Sequence, residues 1–320
     1  MADTFAGVQG IERGDVASLV PEQVSSAMLE SLSTSSAILA LATRIPISRR
    51  QVRFPILAAL PAAYFVDGDL GLKQTTKVEW DNKYMNVEEL AVIVPIPEAV
   101  LDDSGFDMFG AIRPLLEGAI ARKFDAAVVF GEDKPGSWDD DLVSIAEGAG
   151  NTVVLGTATP AEGGIAEDFN QLFGLIEDGG YDVNGVIAAP RLKTRIRSAR
   201  DTTGQALADL STGTILGARL NTAAMPGMWA GRNVQAIAGD FSKVVVGVRQ
   251  DITYKVLDQA VLTDENGVVI LNLAQQDAVA LRVVFRVGYA VANPINYVNA
   301  DTADPHGVPT SAAFGVALDH

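Results

Sequence analysis

Two β-rich runs, residues 52–61 and 77–97, flank a stretch, 64–76, that carries Asp67, Gly68, Asp69 and Gly71. Such punctuation between β-branched and aromatic segments predicts one long hairpin. A two-stranded hairpin is marginal in water by itself, so this one needs a surface to lie on, either its own body or a neighbouring copy. That requirement constrains the chain more than any other feature: it must fold around a protruding β element or assemble through one.

The elements on either side sharpen the picture. Residues 1–19 are small and polar with no apolar period, which predicts a mobile arm. Pro21 opens a helix, Glu22 follows in its first turn, and Val24, Met28 and Leu32 recur at four-residue spacing. They form one thin apolar stripe that wants a partner surface. Ser33 to Ser36 break this helix, and 37–46 reads as an apolar, strand-like continuation.

Beyond the hairpin, Pro97-Glu98 starts the longest helical pattern, with Phe109, Ile112, Leu116, Ile120 and Phe124 spaced by three and four. Pro114 is expected to bend or divide it. The helix is expected to end near Gly131, before a loop over 132–141. A mixed stretch of helices and strands extends to about Gly247. Asn266-Gly267 marks a second hairpin, between 256–262 and 268–273. The last strand signal is 280–291, and the tail after Pro294 reads as polar and short of core formers. No internal repeat of fixed period is present.

Chemistry is scarce along this chain of 320 residues. It has no Cys, which removes disulfides, thiolate metal sites and cysteine nucleophiles together. Its two histidines, His306 and His320, lie in the tail, so neither a Ser–His–Asp triad nor a multi-histidine metal centre is expected. A phosphate-binding Gly-x-x-x-x-Gly-Lys-Ser/Thr loop is absent. Gly148-Ala149-Gly150 precedes a strand-like segment, the reverse of a dinucleotide turn, and reads as a simple turn. Asp139, Asp140 and Asp141 are adjacent, so their side chains diverge, and a solvated loop is expected rather than a cation site. Asp264-Glu265-Asn266-Gly267 lacks the later bidentate Glu of a calcium loop and reads as a turn. No catalytic residue, cofactor or metal is therefore predicted.

The net charge of −16 repels phosphate backbones and disfavours sequence-specific nucleic-acid binding. Residues 1–14 show neither a basic nor an apolar signal region, and no window reaches the roughly 18 uninterrupted apolar residues of a membrane span. A cytosolic chain that joins something larger is expected. The one basic concentration, Arg191, Lys193, Arg195, Arg197 and Arg200, falls on a predicted helix whose Leu192, Ile196 and Ala199 face inward. An anion or DNA contact is one reading of its outer face; with forty acidic residues in each copy, that face is expected instead to meet acidic neighbours across an oligomer.

The order of these elements resembles the major capsid proteins of tailed bacteriophages, of the Hong Kong 97 type. Val20-Pro21-Glu22 through Arg44-Ile45-Pro46 resembles the N-terminal arm. Tyr64-Phe65-Val66-Asp67-Gly68 with 77–97 resembles the extended loop. Ile96-Pro97-Glu98-Ala99-Val100-Leu101-Asp102-Asp103-Ser104 resembles the start of the spine helix, which closes with Phe124-Asp125-Ala126-Ala127-Val128-Val129-Phe130-Gly131. Asn184 to Pro190, Arg200 to Leu207, Gly239-Asp240-Phe241-Ser242 and 277–291 resemble parts of the axial domain.

The resemblance implies an α+β fold with an N-terminal arm (1–46), an extended β-hairpin loop (47–97), a peripheral domain carrying the spine helix (98–135 and 250–285) and an axial domain (136–249 and 286–320). It implies a non-enzymatic subunit that self-assembles into pentamers and hexamers of an icosahedral virion shell. That shell would form in the host cytoplasm with portal, scaffold and decoration proteins, and would enclose double-stranded DNA without reading its sequence. Contacts between copies are expected at Val24, Met28, Leu32, Lys73, Lys77, Arg195 and Arg197. Some relatives cross-link subunits through a loop lysine; Lys73, Lys77 and Lys83 lie in or near that loop, and serve equally as charges guarding a hairpin edge. The short arm implies a separate scaffold protein or an unusually short scaffolding region. An encapsulin-like compartment has the same fold, and a metal-dependent hydrolase or a monomeric binding module are the readings from other classes.

Overall fold

The computed structural model describes residues 36–59, 79–103, 107–159, 161–198, 213–222, 228–264, 266–292 and 312–319. They separate into two compact units, one from 89–121 and 250–287, the other from 36–88, 122–249 and 288–320. The predicted helix over 21–32 and the hairpin tip lie outside the described residues, and with them Val24, Met28, Leu32, Lys73 and Lys77.

The larger unit holds a six-stranded sheet in the order β4-β13-β8-β5-β7-β6. Its strands are β4 (Thr152–Val154), β5 (Gly185–Ala188), β6 (Thr214–Ile215), β7 (Ala218–Thr222), β8 (Val234–Gly239) and β13 (Phe314–Leu318). Every residue of β5 and β8 is buried, as expected of central strands. A helix over Ile165–Asp178, designated α5, packs on β4, β8 and β13. Ile165, Phe169, Leu172, Phe173 and Ile176 are its buried apolar residues, a stripe at helical spacing. Each such side chain contributes about 1.5–3 kcal/mol on burial.

Strand β13 corrects the expectation of a polar tail. Ala312, Ala313, Phe314, Val316 and Ala317 are fully buried, and β13 pairs parallel with β4 and antiparallel with β8. Alanines and one glycine give a run too weakly hydrophobic to announce a strand, yet small residues are what this crowded position accepts. A Cβ on Gly315 would stand 2.8 Å from Leu172, and one on Gly239 2.3 Å from the carbonyl of Ala313.

A five-stranded sheet follows the order β1-β9-β12-β3-β2, built from β1 (Thr43–Pro46), β2 (Gln51–Ala59), β3 (Glu79–Pro97), β9 (Val244–Leu257) and β12 (Ala278–Val291). The long predicted hairpin is present: β2 and β3 pair antiparallel from Gln51↔Asn86 to Ala59↔Glu79. Strand β1 runs parallel to β9. Only the second half of the expected strand over 37–46 is extended. Ala37–Leu41 forms a short helix, α1, because Ser36 caps it by accepting the Leu39 amide at 3.0 Å.

The long helix also departs from expectation. A short helix, α2 (Glu98–Asp103), ends before α3 (Met108–Phe130) begins, and α3 runs unbroken through Pro114. Division falls ahead of Met108 because the Asp107 side chain accepts the Gly110 amide at 3.0 Å and caps a new helix. Pro114 removes a single intrahelical bond. Gly131 ends α3 with φ of 68°.

In the smaller unit, Ile96, Val100 and Met108 form one buried cluster with Val94, Leu101, Phe109 and Ile112. A second gathers Leu273, Ala278 and Ala280 with Leu257, Ala260, Leu262 and Leu271. The hairpin at Asn266-Gly267 is present as β10 (Val261–Thr263) paired with β11 (Val269–Asn272), and Gly267 takes φ of 80°. Val256 and Leu257 belong instead to β9. Among the described residues no helix is long and apolar enough to cross a membrane.

Candidate functional site: fastenings of the hairpin root and the first helix

The root of the long hairpin is tied to the loop that follows α3. Lys83 Nζ, on β3, lies 2.8 Å from Asp139 Oδ2. Three residues further on the same strand, Asn86 Nδ2 donates to the Ser137 carbonyl at 3.2 Å. Ser137 Oγ in turn donates to Glu88 Oε1 at 2.8 Å. On the apolar side, Met85 and Val87 are buried with Ile47 and Ala290. Gly288 makes room for Met85, since a Cβ there would meet Met85 Cγ at 2.9 Å.

Of the three aspartates of that loop, Asp140 is solvated as expected, its side chain 78% exposed, while Asp139 and Asp141 serve internal partners. They diverge as adjacent residues must, but each has separate work. Asp139 Oδ2 accepts the Val291 amide at 2.7 Å as well as facing Lys83. The Asp140 carbonyl accepts the hydroxyl of fully buried Tyr289 at 3.0 Å, while its carboxylate faces Lys134 at 3.3 Å. Asp141 caps a helix, α4 (Leu142–Gly148), by accepting the Ser144 amide at 3.0 Å. Trp138 stands between Phe124 and Tyr289, with ring centroids 5.9 Å from each. Burial pushes the Tyr289 phenol well above its usual range, and the three aspartates add to the effect.

A second fastening joins α1 to α3. The buried Asp125 carboxylate, on α3, accepts the Ser36 hydroxyl at one oxygen and the Ala37 amide at 2.7 Å at the other. Nothing in the spacing singled this residue out, although an aspartate inside Phe124-Asp125-Ala126-Ala127-Val128-Val129 is a polar break in an apolar run, and that was the available signal.

The basic segment forms a helix, α6 (Leu192–Ser198), with Leu192 and Ile196 fully buried as expected. Ala199 and Arg200 lie outside the described residues. Arg195 Nη1 pairs with Asp319 Oδ1 at 2.6 Å, Gln235 Nε2 donates to the other oxygen of Asp319 at 3.1 Å, and Arg191 Nε donates to Gln235 Oε1 at 2.7 Å. Arg197 Nε donates to the Lys193 carbonyl at 3.3 Å. Arg195 is thus engaged within its own chain.

Among the described residues no group of three or more His, Asp or Glu is placed to hold a metal ion. A solvent-open hollow of about 580 Å³ is lined by Thr157, Ala158, Glu162, Glu167 and Gln171. Of its carboxylates, Glu162 accepts both the amide and the hydroxyl of Thr159, at 2.8 and 2.7 Å, and so closes a local turn. Nearby Asp168 is buried and accepts from the Gly156 and Ala158 amides and from Thr157 Oγ1, so it holds the loop. Large exposed apolar side chains include Val261, Val268 and Val269 on or beside the β10–β11 ribbon.

Comparison with known proteins agrees along nearly the whole length. The profile of the phage capsid family matches residues 17–298. The major capsid protein of Staphylococcus phage 80alpha is 26% identical over 281 residues, covering 87% of this chain and 83% of that protein. A solved structure from Microbacterium phage Oxtober96 is 35% identical, covers 98% of this chain and 100% of its own, and superposes with a TM-score of 0.78. One from Mycobacterium phage Cain is 32% identical, covers 98% and 99%, and gives 0.77. The capsid of an empty GTA particle, 16% identical with coverage of 98% and 99%, shares the fold at 0.63.

Proposed function

Because the chain belongs to the phage capsid family, we propose a reading in which this major capsid protein builds the head shell as pentamers and hexamers, and does so without chemistry of its own. The observation that carries it is whole-length agreement in both sequence and fold with a phage structure at 35% identity. An encapsulin-like compartment is not favoured by these matches.

The division into arm (1–46), extended loop (47–97), peripheral domain (98–135 and 250–285) and axial domain (136–249 and 286–320) is part of this proposal. So are portal, scaffold and decoration partners, assembly in the host cytoplasm, and enclosure of double-stranded DNA that is not read by sequence. A net charge of −16 supports that last point, since it leaves little counterion release to drive tight DNA binding. Val24, Met28, Leu32, Lys73, Lys77, Arg195 and Arg197 remain the proposed contacts between copies. For Arg195 the intrachain pair with Asp319 makes its role one of shaping the face, with Lys193 and Arg197 on the same helix as the outward charges.

Many contacts of modest strength sum to a stable closed shell while single wrong contacts still dissociate. The test is electron microscopy of the purified protein, expressed alone and with its phage's scaffold gene. Closed icosahedral shells are expected in at least one case, and a monodisperse monomer at high concentration in both would overturn the reading.

A further inference from the structure

Asp125 is fully buried on α3, yet among the described residues no cation pairs with it. Of the charged groups on the elements around it, the Arg44 guanidinium sits on the Leu39 carbonyl and Lys123 on Asp133. Neither Arg44, Arg122 nor Lys123 offsets its charge, and α1 itself (Ala-Ile-Leu-Ala-Leu) carries no titratable side chain. What meets the carboxyl is neutral: the Ser36 hydroxyl and the amides of Ala37 and Ile38. Ser36 serves twice, since its Oγ also accepts the Leu39 amide at 3.0 Å. One side chain of the long helix therefore holds the whole first turn of α1, across a separation of 89 residues to Ser36.

We propose that Asp125, Ser36 and the opening amides of α1 form a proton-operated clasp, which fastens α1 to the long helix when the carboxyl is neutral and loosens when it ionises. The chemistry of both states fits the geometry. A neutral carboxyl donates its proton to Ser36 Oγ, which has two lone pairs to share with the Leu39 amide, while its carbonyl oxygen keeps the Ala37 amide. An ionised one keeps its donors but must hold a charge away from water with no counter-ion. Burial accordingly pushes the group from 3.8 up to about 7, against the opposing pull of its hydrogen bonds.

The sign of the pH dependence follows. When α1 lets go, the carboxyl meets water and returns to an ordinary acidity, so opening releases one proton to solvent between about pH 4 and pH 7. Opening therefore becomes about tenfold easier for each pH unit climbed through that window and levels off above it. Mild acid tightens the hold of α3 on α1, and neutral pH leaves it at its weakest.

Hydrogen exchange of the full-length chain, read by mass spectrometry on the peptide spanning 36–44 and corrected for chemical exchange rates, tests this. Protection is expected to be about a hundredfold higher at pH 5 than at pH 8, with no matching step in the peptide spanning α5. Asp125→Asn mimics the neutral acid: it should retain the protection and abolish the pH step. Asp125→Ala should lose protection at every pH. A flat profile in the unsubstituted chain, the same step in α5, or an undiminished step in Asp125→Asn would each overturn the clasp, and the first two need no variant to fold.

Discussion

Lys83 Nζ and Asp139 Oδ2 stand 2.8 Å apart, and the same carboxylate oxygen accepts the Val291 amide at 2.7 Å. One aspartate thereby ties β3 and β12 to the loop after α3. The two partners are not equivalent. Asp139→Ala strands a backbone amide as well as a lysine, and should cost about 2–3 kcal/mol. Lys83→Met leaves the carboxylate with its amide and some solvent, and should cost about 1 kcal/mol. Urea unfolding of the two variants at pH 7 checks this, and equal midpoints would contradict the assigned asymmetry. The pairing also bears on cross-linking: Lys83 has only 15% of its side chain exposed and faces Asp139, so shells of Lys83→Met are expected to show an unchanged band pattern on denaturing electrophoresis.

Two glycines separate soft from hard crowding. A Cβ at Gly247 meets Met85 Cε at 2.5 Å and Ile47 Cδ1 at 2.6 Å, both ends of flexible side chains. At Gly239 it meets the Ala313 carbonyl at 2.3 Å and Phe314 Cδ1 at 2.5 Å, and the first of these is backbone. Gly247→Ala should cost about 1 kcal/mol because Met85 can turn aside, and Gly239→Ala about 3 kcal/mol because β8 and β13 must part. Thermal unfolding that ranks them the other way would show that the β13 register is misplaced.

Legibility in the sequence followed the strength of local signals. The long hairpin, the end of α3 at Gly131 and the Asn266-Gly267 turn were readable because β-branched runs, glycine at positive φ and turn dipeptides act over a few residues. The inward placement of Leu192 and Ile196 was readable from helical spacing. Strand β13 was not, because Ala312-Ala313-Phe314-Gly315-Val316 gains its place from close packing against α5 and β8 rather than from its own hydrophobicity. The tasks of Asp125 and Asp139 were hidden for a related reason. Their partners, Ser36 at one and Lys83 and Val291 at the other, are brought near by tertiary folding, and no local spacing rule encodes such pairs.

That placement of β13 makes the last residues structural. Phe314 is fully buried and packs edge-on to Phe241 at 5.6 Å. Phe314→Ala should destabilise the chain by about 3–5 kcal/mol, and removal of residues 312–320 should abolish soluble expression, because β4 and β8 would lose the strand between them. A truncated chain that remains soluble and gives native-like near-ultraviolet circular dichroism would contradict the topology.

Tyr289 supplies the alkaline counterpart. Its hydroxyl donates to the Asp140 carbonyl at 3.0 Å, and burial, with Asp139, Asp141 and Asp140 around it, raises its ionisation well above the ordinary tyrosine range. Below about pH 10 the phenol is protonated whether the chain is folded or not, and its full contribution is present. Above that, the unfolded chain sheds a proton that the folded one keeps, so stability falls by about 1.4 kcal/mol per pH unit from this group. Tyr289→Phe should cost about 1–2 kcal/mol at pH 7, where the Asp140 carbonyl loses its donor, and should make the decline above pH 10 shallower by that one proton. Absorbance at the phenolate band gives a direct reading. Of the six tyrosines in the chain, Tyr289 should stay silent until the near-ultraviolet dichroism collapses, and full phenolate amplitude in a chain still folded would show that the hydroxyl is open to water.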